Sequence, residues 1–196
     1  MRQRSFHSIA VALAGVLLAA FCAAAGAWAA GAQGAEIQWA GLFRASVVGT
    51  TEQPDTAMGR TNQLSGVEKL EATTTVPARL GVSFGLEYRL TGEREGDAAT
   101  IQIVEVPPKA GLLNPATQKR VHRESWRPSI VLVGATAIVG YKLEHDWEVV
   151  PGLWRFEIWQ AGHKLAQQSF CLVPEPGSAD GEKLSGEDRC HSAATA

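Results

Sequence analysis

The sequence predicts an all-β protein in which about seven to eight short strands form an antiparallel sandwich. Several segments alternate apolar with polar residues, glycine or proline separates these segments, and no long segment has the apolar period of an amphipathic helix. Strands with one apolar face become buried when two sheets pack around a common core. The predicted domain covers residues 36–173.

A hydrophobic hairpin between Val149 and Val173 is the clearest element. Trp154, Phe156 and Ile158 repeat every two residues, as on a strand with one face in the core, whereas a helical period would scatter them around a cylinder. Ala161-Gly162 interrupts the run, and the rest of the segment is again apolar and rich in β-formers. These residues predict two antiparallel strands joined by a tight turn.

The N-terminal half predicts three strands and one loop. Residues 36–48 alternate as a first strand, and 49–66 is polar with no apolar period, which predicts a mobile loop. Residues 67–76 predict a second strand that ends at Pro77. The most regular alternation, in residues 81–90, predicts a third strand.

The middle of the chain predicts three further strands around a long loop. Residues 100–106 are β-branched and end at Pro107-Pro108, where the chain loses its amide donors. Residues 109–128 are rich in lysine and arginine, which indicates a solvated loop with one strand or, alternatively, a patch for an anionic partner. Two apolar segments, 129–133 and 136–143, complete the sandwich.

The N-terminus, residues 1–29, predicts a secretory signal peptide. Arg2 and Arg4 precede an uncharged apolar run from residue 9 to 25, and Ala27-Trp28-Ala29 fits the small-x-small rule for cleavage. Ala30-Gly31-Ala32 is a second cleavage site of the same type. An uncleaved membrane anchor is the alternative, since the run approaches the length of a span. We therefore expect a periplasmic or secreted protein with no membrane insertion after cleavage.

Charge and cysteine content agree with this compartment. Without Arg2 and Arg4 the 18 basic residues fall to 16, against 20 acidic ones, so the basic surplus of a nucleic-acid-binding protein is missing. Cleavage also leaves Cys171 and Cys190 as a pair, which predicts a disulfide in an oxidising compartment. This disulfide would tie a flexible polar tail, residues 174–196, to the hairpin.

One motif suggests catalysis, but its context contradicts that interpretation. Residues 81–85, Gly-Val-Ser-Phe-Gly, match the nucleophile elbow of α/β-hydrolases, and Asp146 and His163 follow in the order of such a triad. An elbow requires a strand, a sharp turn and a helix, whereas Ser83 lies within an alternating run that continues to Leu90. We expect an ordinary strand serine, no catalytic residue and no enzyme activity.

No segment predicts a metal or cofactor site. Residues 144–148 combine three carboxylates with an imidazole, but adjacent residues rarely all face one ion, so a charged turn is the simpler interpretation. Cys190-His191 would bind a metal only if Cys171 stayed reduced, and an oxidising compartment opposes that state.

The tryptophans provide the candidate binding surface. Trp154 shares the core phase of the hairpin, whereas Trp159 has the opposite phase. Tryptophans are enriched at binding hot spots, although many pack half-buried under loops. We name Trp126, Trp147 and Trp159 as candidates for contact with a ligand.

The sequence resembles a bacterial family, domain of unknown function 3859, over residues 36–173. The matching positions are Pro77-Ala78, Gly81, Phe84-Gly85, Gly111-Leu112, Pro151-Gly152, Trp154, Phe156, Gly162, Leu165-Ala166 and Phe170. The resemblance implies an immunoglobulin-like sandwich and brings no catalytic residues. The resulting hypothesis is a non-enzymatic module that binds a protein or envelope component; the alternatives are a small-ligand or glycan module using the tryptophans and, less well supported, a serine hydrolase.

Overall fold

The structure, a computed structural model, describes residues 31–174 and Cys190. The predicted signal peptide and all of the predicted tail except Pro174 and Cys190 lie outside these residues. No helix in the described part is long and apolar enough to cross a membrane.

The regular secondary structure of the described chain is almost entirely β-strand. In order these are β1 (Gly34–Glu52), β2 (Arg60–Ala72), β3 (Thr75–Ala78), β4 (Ser83–Thr91), β5 (Ala98–Val106), β6 (Leu112–Asn114), β7 (Lys119–Val121), β8 (Glu124–Ser125), β9 (Ser129–Leu132), β10 (Thr136–Lys142), β11 (Gly152–Gln160) and β12 (His163–Pro174). A single turn of 3-10 helix, Asp146–Glu148, precedes β11.

Two sheets form the sandwich. The first has the order β10-β4-β1-β2, with every neighbouring pair antiparallel. The second has the order β3-β12-β11-β5-β8, with β9 also on β5, and only its β3–β12 pair is parallel. The predicted all-β sandwich is therefore confirmed, and a separate ribbon, β6-β7, lies beside it.

An aromatic cluster joins the two sheets. Phe84 of β4 makes edge-to-face contacts with Trp154, Phe156 and Phe170, whose ring centroids lie 5.7, 5.7 and 5.3 Å away. All four side chains are fully buried. The core face predicted for the final hairpin is thus confirmed.

The final hairpin turns in two residues, as predicted. Gln160 pairs with His163, and both turn residues have positive φ, 47° at Ala161 and 81° at Gly162. This is the geometry that matches the twist of a two-stranded ribbon, and Gly162 adopts it without steric cost.

The disulfide predicted between Cys171 and Cys190 is present, with 5.8 Å between the two Cα atoms. That separation is typical of a disulfide bond. Residue 190 is therefore attached to β12 near the end of the domain.

The prediction of a mobile loop at residues 49–66 is wrong. β1 continues to Glu52 and pairs with β2 from Arg60 onwards, so only residues 53–59 form the turn. Most side chains of β2 are exposed, because this ribbon extends along the edge of the first sheet with solvent around it. Two solvated faces give no apolar period, which is why the pattern resembled a loop.

The structure also differs from the predictions for residues 67–76 and 109–128. β2 ends at Ala72, and Pro77 lies inside the separate strand β3 rather than ending one strand. Proline is tolerated there because β3 is at the edge of its sheet. Residues 109–128 contain three short strands, β6, β7 and β8, where one was predicted.

Candidate functional site

Two glutamates lie opposite each other on neighbouring strands at the edge of the second sheet. Glu105 of β5 pairs directly with Glu124 of β8, and on its other side with Phe156 of β11. Side chains at paired positions share a face of the sheet, so both glutamates lie on the core face. Each is only 2% exposed. The hydrophobic core therefore ends in two buried carboxyl groups.

The protein gives this pair few hydrogen-bond donors. The backbone N–H of Ala57 donates to Oε1 of Glu124, and the indole N–H of Trp126 donates to Oε2 of Glu105 over a long 3.4 Å. Oε1 of Glu105 is the one buried side-chain polar atom in the described part of the chain that has no partner. Like charges directly opposite each other repel, so the pair requires a proton or another donor.

The electrostatics of the pair favour a shared proton. Burial, followed by repulsion from Glu124, raises the pKa of Glu105 well above its ordinary value. Burial also raises the pKa of Glu124, although hydrogen bonds from Ala57 and Glu105 act in the opposite direction. Both shifts favour a state in which the two carboxyl groups are not ionised together.

A third buried glutamate, Glu148, lies at the end of the 3-10 turn and is 2% exposed. Its Oε1 accepts from the Tyr141 hydroxyl at 2.9 Å, and its Oε2 accepts from the backbone N–H groups of Glu144 and His145 at 2.7 and 2.8 Å. The interpretation of residues 144–148 as a charged turn is therefore incomplete, because one of its carboxylates closes the turn from inside the protein.

Tyr141 connects this carboxylate to the core. Its ring lies 5.0 Å from that of Trp154, measured between centroids. Burial and the negative charges of the three glutamates raise the pKa of Tyr141 far above its ordinary value. The hydroxyl therefore stays protonated at neutral pH and donates to Glu148.

These groups lie along a cleft between the β1-β2 hairpin, β10 and β8. The empty space between these elements is about 770 Å³, a figure that includes the open solvent at its mouth. The lining comprises the apolar Phe43, Ala45, Val47, Met58 and Leu64; the aromatic Trp126 and Tyr141; the glutamates Glu105, Glu124 and Glu148; and, among polar residues, Arg60, Ser83, Lys142 and Glu144. An apolar wall thus faces a set of buried carboxyl groups.

The tip of the β1-β2 hairpin is held over this cleft by contacts that are distant in sequence. Ala57 donates to Glu124 and accepts from the side chain of Asn114 at 2.9 Å. Oε1 of Gln53 accepts from the backbone N–H of Arg127 at 2.6 Å. Thr56 and Ala57 are each 3% exposed. The turn is therefore anchored to the body of the sandwich, and this anchoring defines one end of the cleft.

The three candidate tryptophans do not form one surface. All are half-buried, but of the three only Trp126 lines the cleft. Trp147 stacks on His145 with 5.7 Å between ring centroids, and Trp159 lies between the cations of Arg123 and Lys164 at 5.4 and 5.7 Å.

Trp159 belongs to an ion cluster around Glu157. This carboxylate is 2% exposed and contacts Arg155 at 2.8 Å, Arg123 at 3.0 Å and Lys164 at 3.3 Å, while the Trp159 indole donates to it at 3.0 Å. Burial acts to raise the pKa of Glu157, but the hydrogen bonds from these partners outweigh burial and lower it. The Glu157 carboxylate is therefore satisfied by donors from the protein, whereas the three cations around it remain partly exposed.

Ser83 begins β4, and the strand continues to Thr91 without the sharp turn and helix of a nucleophile elbow. Within residues 31–174, its hydroxyl makes no hydrogen bond to a histidine or a carboxyl group. No group of three histidine, cysteine, aspartate or glutamate residues in the described chain is arranged to hold a metal ion.

The buried glutamates were missed in the sequence because they come from three separate segments. One signal was present: Glu105 continues the period of Ile101 and Ile103, so a carboxylate occupies a core position of β5. No comparable signal marks Glu124 or Glu148, since neither lies in a regular apolar alternation.

The fold is a β-sandwich with a partly enclosed cleft. The chain belongs to the family described as domain of unknown function (DUF3859), whose model matches residues 35–172. The resemblance found in the sequence is thus confirmed. No curated protein sequence matches the chain.

Several solved structures are similar. An immunoglobulin-like protein from Pseudomonas aeruginosa is 26% identical, with 70% of this chain and 95% of that chain covered and a TM-score of 0.49. A DNA-bound alkylpurine DNA glycosylase from Pseudomonas fluorescens is 12% identical, with 50% and 27% covered and a TM-score of 0.34. A β-glucosidase from Listeria innocua is 14% identical, with 67% and 16% covered and a TM-score of 0.33.

Proposed function

We propose that this protein is a non-enzymatic binding module that works outside the cytoplasm, in the periplasm or after secretion, and that the cleft is its binding site. The ligand is an envelope component, or a group that a protein partner presents. The observation that carries this proposal is Glu105, a buried carboxyl group that lines the cleft with one oxygen lacking a donor. A buried polar atom without a partner costs free energy that a bound ligand would recover.

The shape of the site supports binding. Phe43, Ala45 and Val47 give β1 an apolar wall, and Trp126, directly after β8, contributes an aromatic surface to the cleft. Ligand sites usually combine such apolar walls with a few convergent polar groups. Because the hairpin tip is anchored through Ala57, the cleft exists before a ligand arrives and little ordering free energy opposes binding.

Two further features support a location outside the cytoplasm and a non-enzymatic role. The Cys171–Cys190 disulfide is typical of oxidising compartments, in agreement with the secretory pattern of residues 1–29. In the cleft, Glu148 accepts three hydrogen bonds from the protein, so it is positioned as a structural group rather than a free base.

A variant that fills the cleft tests the proposal. Ala45→Trp places an indole between the walls, and Ala98→Trp adds the same side chain to an exposed position of β5 as a control. We expect small molecules extracted from a bacterial envelope to raise the melting temperature of the wild type and of Ala98→Trp, but not of Ala45→Trp. Equal shifts in both variants, or no shift in the wild type, would contradict the cleft as the binding site.

A further inference from the structure

We propose that the cleft recognises an organic cation, a primary ammonium group at the end of an apolar stem, with the ammonium bound between Glu105 and Glu124. This inference rests on the proposal that the cleft is the ligand site and specifies what enters it. In the free protein a proton holds the two carboxyl groups together, and the ligand takes the place of this proton.

The geometry of the pair suits an ammonium group. Glu105 and Glu124 are direct cross-strand partners on one face, so their carboxyl groups converge on the same volume. Oε1 of Glu105 has no donor, and the single donor to its Oε2 is 3.4 Å away. An ammonium group supplies three donors and a positive charge, so it can satisfy both carboxylates at once.

The walls suit an alkyl stem. Phe43, Ala45, Val47 and Leu64 line the cleft on the hairpin side, and Trp126 and Tyr141 bring aromatic rings to the carboxylates. Aromatic rings attract cations, most strongly where water is excluded. An aliphatic amine therefore matches the cleft along its length, with the charge at the buried end.

Other ligand chemistries fit less well. An anion would meet three buried carboxyl groups, and no described residues form a three-ligand cluster for a metal ion. A hydroxyl group, as in a glycan, can donate to Glu105, but it brings no positive charge to replace that of a proton held between the two glutamates.

The exchange of a proton for the ligand makes binding dependent on pH. The charged and titratable groups facing the pair are Glu148 and Tyr141, which are hydrogen-bonded to each other, and Lys119, whose positive charge acts on Glu124; Arg60, Lys142 and Glu144 line the cleft further out. While Glu105 is protonated in the free protein, each bound ammonium releases one proton. Affinity then increases with pH, by up to about tenfold per pH unit.

Calorimetric titration with n-hexylamine and n-hexanol tests this inference. We expect hexylamine to bind at least tenfold more tightly than hexanol and to release a proton, which is measured by comparing phosphate with HEPES buffer. Glu105→Gln should weaken hexylamine binding at least tenfold. Glu68→Gln, which removes the same charge from an exposed ion pair with Arg44, should leave it unchanged.

Two peptides then distinguish the source of the ammonium. A short peptide with blocked termini carries either one lysine or norleucine in its place. Preference for hexylamine indicates a free amine as ligand, whereas preference for the lysine peptide over its norleucine form indicates a protein side chain.

The inference is overturned if neither cation binds, if hexanol matches hexylamine, or if no proton is released. If envelope extracts in that case still raise the melting temperature of Ala98→Trp and not that of Ala45→Trp, the cleft remains the binding site and only the class of ligand is wrong.

Discussion

Glu105 and Glu124 are paired directly across β5 and β8, and both carboxyl groups are buried at the end of the hydrophobic core. Two ionised carboxylates in this position would repel each other in a medium that screens charge poorly. Burial and this repulsion raise the pKa of Glu105 well above its ordinary value, which favours one proton held between the two carboxyl groups. Stability and binding should therefore both depend on this proton.

Glu105→Gln should change how stability varies with pH. Because burial raises the folded-state pKa of Glu105, the folded protein holds a proton that the unfolded chain releases above about pH 4.3. The stability linked to this group is present below that pH and is lost as pH rises, by at most about 1.4 kcal/mol per pH unit. Glu105→Gln has no carboxyl group at this position, so its free energy of unfolding should not decrease with pH for this reason.

Denaturant midpoints between pH 4 and pH 9 measure the effect. The variant should gain stability relative to the wild type as pH increases, and the difference should disappear towards pH 4. Parallel profiles for the two proteins would show that Glu105 titrates normally in the folded state.

Glu157→Gln should have the opposite pH dependence. Hydrogen bonds from Arg155, Trp159 and Lys164 lower the pKa of Glu157 in the folded state, so its contribution is present above the unfolded-state pKa and is lost as pH falls. We expect a loss of about 1 to 3 kcal/mol at pH 7, limited because the cations remain in contact with water. A loss that stays constant from pH 7 down to pH 3 would contradict this assignment.

Trp154→Ala should destabilise the domain by roughly 3 to 5 kcal/mol, because it leaves a cavity in the core. The indole is fully buried against Phe84 and Tyr141, and it donates to the carbonyl of Val150 at 3.0 Å. Ser83→Ala is the control, since Ser83 lies at the start of a strand and should cost little. An unchanged denaturant midpoint for Trp154→Ala would disprove the core assignment.

Replacing both cysteines by serine, Cys171→Ser with Cys190→Ser, should lower stability by about 3 kcal/mol, as expected for a closed loop of this length. The two residues are 19 positions apart in sequence. Denaturant midpoints of the oxidised wild type and the variant give the difference, and mass mapping of unreduced peptides shows the bond. Two free thiols in protein recovered from the periplasm would contradict the disulfide.

The final hairpin was predictable because its information is local. Trp154, Phe156 and Ile158 alternate within one strand, and Ala161-Gly162 supplies the two positive φ angles that the turn requires. Period and turn chemistry are both contained in a short segment, so no distant contact is needed to identify the element.

The β1-β2 tip and the cleft were not predictable, because contacts between distant residues create them. Gln53 is fixed by Arg127 and Ala57 by Glu124, 74 and 67 positions away in sequence. In the sequence, polar residues such as Gln53 have the composition of a loop, because the distant residues to which they bind cannot be identified there. The three glutamates that line the cleft likewise converge only when β5, β8 and the 3-10 turn are assembled.

The most direct test of the shared proton is a carbon-13 NMR titration of the glutamate side-chain carboxyl groups, with assignments from Glu105→Gln and Glu124→Gln. We expect one protonated glutamate carboxyl in the wild type at pH 7, and we expect its signal to be lost in Glu105→Gln. If every glutamate of the wild type is instead ionised at pH 7, with Glu105 titrating near pH 4.3, the buried pair does not hold a proton.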